Sequence, residues 1–186
     1  MTALQREREQ AAAGPAPEGD DLLVYTAPMS PPLGEPWFRP GGVVLLSCYE
    51  LGHQPLGVAG PAAFLERAGF APYTVDLAVE PFDPLRVQGA RFVGISVPMH
   101  TALRVGALAA ERARLVNPTC HICFFGHYAW LNSEYLLRGT ADSCIGGEVE
   151  PALVRLVQAL AKGAPVDFDG VVTAGHASLP HLERCL

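Results

Sequence analysis

From Val43 onward, short apolar runs alternate with longer stretches in which apolar positions recur every three or four residues. The runs Val43–Ser47, Tyr73–Leu77, Phe92–Ser96, His121–Phe125 and Ser143–Ile145 have the length and composition of buried strands. Between them the spacing predicts helices over Pro55–Ala68, Ala102–Val116, Asn132–Arg138 and Pro151–Ala161. Pro55 suits a first helical turn, Gly69 the position just past the end, and Asn117-Pro118 a helix stop. In the second helix, Val105, Ala109, Ala113 and Val116 are expected to face the core, with Arg104, Glu111, Arg112 and Arg114 on the opposite side. Glu80–Gly89 is broken by prolines and is expected to hold at most a turn of helix. Gly170–Thr173 is a candidate for one more strand.

Strands alternating with helices imply parallel pairing, because parallel neighbours need crossover connections. The expected class is α/β: a doubly wound, mostly parallel five-stranded sheet in the flavodoxin-like order 2-1-3-4-5. This order gathers the loops Cys48–Gly57, Val97–Thr101, Gly126–Trp130 and Gly146–Glu150 at one sheet edge, where ligands of such folds sit. Residues 1–20 read as a disordered tail, 21–42 as a proline-rich extended arm, 43–163 as the domain and 164–186 as a C-terminal extension.

A net charge of -6 argues against a phosphate-backbone partner, so no nucleic acid is expected. The five scattered cysteines suit a reducing compartment better than a disulfide framework. Without a signal core or a bilayer-length apolar run, no membrane association is expected, and the cytoplasm is the expected location.

Several residue groups have chemical potential. Cys120-His121-Ile122-Cys123 has the spacing of a zinc or redox pair, but no second cysteine pair lies near it. Packing in the core is therefore the favoured reading. Glu148 and Glu150 suit acid/base work, Glu148 with His53 or His127 as partner; for Glu150, at a helix start, complementing the helix dipole is the favoured role. Tyr128 and Trp130 suit either covering a flat ligand or packing on a helix. Gly126 and the Gly146-Gly147 pair suit close backbone approach by a ligand. Phosphate-binding glycine loops of the G-x-x-x-x-G-K-[ST] and G-x-G-x-x-G types are absent.

The order of short motifs resembles the cobalamin-binding domain at the amino end of cobalamin-dependent radical S-adenosylmethionine proteins. The matching pieces are Val43–Ser47, Pro55-Leu56-Gly57, Asp76 at the end of the second strand, Gly94-Ile95-Ser96 with Thr101, Asn117-Pro118, Gly126-His127 with Ala129, and Asp142 with Gly146-Gly147-Glu148 and Glu150. The resemblance covers Val43 to Gly163. It implies that cobalamin is the cofactor and that its binding residues are His53, Gln54, Pro55, Leu56, Gly57, Ser96, Val97, Met99, His100, Thr101, Gly126, His127, Tyr128, Ala129, Gly146, Gly147 and Glu148.

Departures from the pattern bear on the chemistry. The Asp-x-His-x-x-Gly motif that supplies a cobalt ligand elsewhere is not met, since Leu51 stands two before His53 and the glycine is Gly57. His53 is the candidate cobalt axial ligand, with a hydrogen-bonding loop role the favoured alternative. The Ser-x-Leu motif also fails, because Ser96-Val97 is followed by Pro98. With no Cys-x-x-x-Cys-x-x-Cys triplet, no iron–sulfur cluster is expected on this chain. The resemblance thus implies a corrinoid carrier serving a radical S-adenosylmethionine barrel in trans or on a missing domain. The alternative is a cofactor-free α/β scaffold acting as an interaction domain.

Overall fold

The computed structural model describes residues 35–51 and 53–174. The tail 1–20, most of the arm 21–42 and the end of the C-terminal extension lie outside the described residues. The chain order is β1 Val43–Ser47, α1 Leu56–Arg67, β2 Tyr73–Asp76, α2 Pro84–Gln88, β3 Phe92–Ser96, α3 His100–Val116, β4 His121–Phe125, α4 His127–Leu131, α5 Ser133–Arg138, β5 Ser143–Ile145, α6 Val149–Ala161 and β6 Val171–Thr173. The strands form one six-stranded sheet in the order β2-β1-β3-β4-β5-β6. The first five strands are parallel, as the alternation of strands and helices requires, and β6 adds an antiparallel edge beyond the expected five.

Both sheet faces are covered, so the central strands are apolar on either side. Val44, Leu46, Val93, Ile95, Ile122, Phe124 and Cys144 share one core with α3 and the short helices. Val43, Leu45, Phe92, Cys123, Phe125 and Ile145 share the other with α1 and α6. Cys120 and Cys123 therefore fall on opposite sides of the sheet, both buried. Trp37, Phe38, Val166 and Phe168 pack against the α1/α6 core, with Phe38 stacked on Phe70 at 4.8 Å.

Helix α3 lies one position round from the expected face. Its buried residues are Ala102, Gly106, Ala109, Ala110 and Ala113, while Val105 and Val116 are only partly buried. Gly106 allows this close approach: a Cβ there would stand 3.0 Å from Ile95 Cγ2 and 3.3 Å from Cys48 Sγ. Arg114, expected to face solvent, instead turns in to tie the far end of the sheet. It donates to the carbonyls of Pro118, Cys120 and Thr140, and to Asp142 Oδ2 at 2.7 Å. Asp142 Oδ2 also accepts from Ile122 N–H at 2.7 Å. Asn117, more than a helix stop, is buried and donates to the carbonyls of Val87, Gln88 and Ala90.

Candidate functional site

The parallel register aligns the carboxyl ends of the strands: Ser47 stands beside Ser96, Ser96 beside Phe125, and Phe125 beside Ile145. Above this edge a cleft of about 600 Å³ opens between α1 and the start of α6. Ser96 and Phe125 line it from the strand ends, Gly57 and Pro61 from α1, and Pro98, Gly126 and His127 from the next two loops. Gly147, Glu148, Val149 and Glu150 close the far side. The first turns of α1 and the segments after β3, β4 and β5 therefore meet at the edge the strand order predicts.

Of the expected ligand residues, Gly57, Ser96, Gly126, His127, Gly147 and Glu148 line this cleft. His53 and Gln54 are exposed on the first loop, Leu56 is exposed at the start of α1, and His100 at the start of α3. Pro55, Met99 and Thr101 are partly buried beside them. Val97 and Ala129 are fully buried in the core and offer no surface to a ligand. Tyr128 packs partly against the α3 core and meets the His100 ring edge-on at 6.4 Å.

Two of the glycines have partners within the protein. Gly126 has φ +102, and a Cβ there would stand 3.1 Å from Val97 O. The same carbonyl accepts from Tyr128 N–H at 3.2 Å, while Val97 N–H donates to Phe125 O at 2.8 Å, so the two loops are stitched together by their backbones. Gly146 makes room for Trp130: a Cβ would stand 2.3 Å from Trp130 Cδ2. The indole packs against Gly146, just past the end of β5.

Sequence reasoning missed Pro61, Pro98, Phe125 and Val149 as cleft residues, and it left Glu50 unassigned. Pro61 sits inside α1 and brings no N–H, so the Gly57 carbonyl loses its helical donor. Glu50 Oε1 accepts from Gly57 N–H at 3.0 Å, reaching back from the loop to the first turn of α1. A Glu seven residues before a Gly at a helix start is the only signal the sequence offers for this contact. Glu150 lies in the first turn of α6, as the dipole argument expects, and it also faces α1: a Cβ on Gly60 would stand 2.9 Å from its Oε1.

The polar chemistry of the floor is sparse. Ser47 Oγ is buried without a hydrogen-bond partner, and Ser96, only 3% exposed, makes no side-chain hydrogen bond among the described residues. Cys48, just past β1, faces the other side of the sheet; burial, with Asp76 adding to it, pushes its thiol up to about 12. It is no nucleophile at neutral pH. No hydrogen bond joins His53 or His127 to Glu148, and among the described residues no group of three His, Cys, Asp or Glu side chains is placed to hold a metal ion.

No protein-family model and no curated protein matches the chain. Solved structures share its fold, two of them of one enzyme. One is a radical S-adenosylmethionine methyltransferase, TsrM, from Kitasatospora setae with cobalamin and a [4Fe–4S] cluster bound, at TM-score 0.62 and 14% identity. The other is the same enzyme with tryptophan substrate and a S-adenosylmethionine analogue, at TM-score 0.61 and 14% identity. The matches cover 73% and 70% of this chain, but only 27% and 28% of theirs. At that identity the likeness establishes a common fold. Among the described residues no helix is long and apolar enough to cross a membrane.

Proposed function

We propose that this chain is a corrinoid-binding domain that presents cobalamin to a radical S-adenosylmethionine catalytic partner. The observation that carries the reading is the cleft at the carboxyl edge of the sheet, in a fold shared with a cobalamin-containing methyltransferase. Its walls suit an inserted arm. Gly57, Gly126 and Gly147 keep side chains off three sides, and the Ser96 hydroxyl faces in with no hydrogen-bond partner among the described residues. In this proposal Ser96, with the orphaned Ser47 hydroxyl behind it, hydrogen-bonds the buried arm, while the loops bearing Leu56, Met99, His100 and His127 support the disc at the rim. Bound cobalamin would supply a methyl-carrying or radical-forming cobalt centre; this chain's part is to hold and orient it. His53, exposed and outside the cleft lining, serves the loop rather than cobalt.

Gel filtration tests the reading. Protein mixed with hydroxocobalamin should elute with a corrin absorption band in about one-to-one ratio, as a single-site cleft requires. His53→Ala should leave that band unchanged in position. A colourless protein peak overturns the proposal and leaves a second reading, a cofactor-free interaction domain. That reading is favoured by the Glu50 carboxylate, which already holds the Gly57 N–H at the α1 end of the cleft.

A further inference from the structure

If the cleft holds a corrinoid, as proposed above, its walls also bear on which corrinoid it accepts. In doubly wound sheets the first helix usually offers its amino-terminal N–H groups to a ligand anion, most often a phosphate. Here that place is taken from within: Gly57 N–H donates to Glu50 Oε1 at 3.0 Å. A Cβ on Gly57 would stand 2.6 Å from the same oxygen and 2.5 Å from Ser96 Oγ, so carboxylate and hydroxyl converge over one α carbon of the cleft wall. The opposite wall carries Glu148 and Glu150, and among the described residues no Lys or Arg lines the cleft. Independently of these carboxylates, Ser96 is 3% exposed, lines the cleft and lacks a side-chain hydrogen bond among the described residues, which marks the floor as a place that receives a polar group. The Gly57 carbonyl, deprived of its helical donor by Pro61, adds one more acceptor. The wall thus offers acceptors to amide N–H groups and a negative field to a phosphate.

We propose that Glu50 is a specificity-determining residue of the cleft, its carboxylate holding the amino terminus of α1 against phosphate, so that corrinoids are sorted by whether the arm they insert carries a phosphodiester. Cyanocobalamin carries this group and dicyanocobinamide lacks it, while both are neutral overall. Their dissociation constants are measured by absorbance titration against the full chain, Glu50→Gln and Glu50→Asp, with circular dichroism confirming each fold. Gln keeps an acceptor for Gly57 N–H but removes the charge. The ratio of affinities should move toward cyanocobalamin by about tenfold in Glu50→Gln, the size of one relieved like-charge contact. Glu50→Asp should keep the wild-type ratio. A ratio unchanged in Glu50→Gln, or an equal loss of both ligands, overturns the role of Glu50, because a carboxylate that merely shapes the loop would affect both alike. If the wild-type chain retains neither compound, the corrinoid reading falls and takes this inference with it.

Discussion

Gly126 and His121 show how single residues are constrained from opposite ends of the sheet. At Gly126 a side chain would be forced into a left-handed backbone, φ +102, with its Cβ 3.1 Å from the Val97 carbonyl. Gly126→Leu should cost about 2 kcal/mol in a urea titration, mainly backbone strain, and should also weaken corrinoid retention. His121 hydrogen-bonds Ser143 Oγ through Nε2 at 2.8 Å and stacks on Phe92. Burial pushes its imidazole below the ordinary 6.5; the nearby Asp142 opposes this and Arg114 adds to it. The folded state therefore binds a proton less readily than the unfolded chain. The stability it contributes is present above about pH 6.5 and is lost as pH falls below that value. Unfolding free energy measured from pH 7.5 to 5 should decline, and His121→Gln should flatten that decline. The buried thiols obey the same rule in the other direction. Cys48 and Cys123 are both pushed up to about 12 by burial, so Ellman's reagent at pH 8 should find neither reactive until the protein is unfolded. Labelling of either in the native state would mean that the core opens.

At the scale of elements, α3 and the segment leading into β5 are joined by one side chain. Arg114 satisfies three backbone carbonyls and Asp142 at once, and Asp142 in turn accepts from β4. Arg114→Ala leaves those carbonyls short of donors and should lower stability by about 2 kcal/mol. Arg114→Lys should recover little, because an ammonium cannot fork in this way. Recovery of full stability by Lys would show that the contact is one of charge alone. Periodicity placed Arg114 on the solvent side because the pattern of a helix is read around its axis. At its last turn the helix end is also open to the loops beneath. The one-position rotation of α3 has a similar cause: a stripe of Ala and Gly lets helix and sheet approach more closely than the Val stripe would, and dispersion rewards the closer fit. The short helix α4 leaves no trace in the sequence pattern, because five residues following a glycine give too little periodicity to detect.

The molecule as a whole consists of a parallel sheet with an antiparallel strand closing one edge. β6 pairs with β5 over Ser143–Ile145, and Val166 and Phe168 pack on the α6 side of the core. A chain ending at Lys162 should lose about 2 kcal/mol or more of stability through the apolar surface it uncovers, read as a lower urea midpoint. The cleft lies chiefly between α1, α6 and the strand ends, so the shortened chain should keep whatever corrinoid retention the full chain has.

The alternation of apolar runs and amphipathic stretches determined the strands, the class of the fold and the strand order, because parallel neighbours admit few connections. The edge at which loops gather followed from that order without coordinates. What lines the cleft did not follow. Glu50 reaches Gly57 across the turn, Trp130 settles on Gly146, and Pro61 frees a carbonyl; each depends on where separate segments meet in space. Period and composition report which face of an element is apolar, whereas the contents of a cleft are set by side-chain reach between elements, and only the tertiary structure decided that.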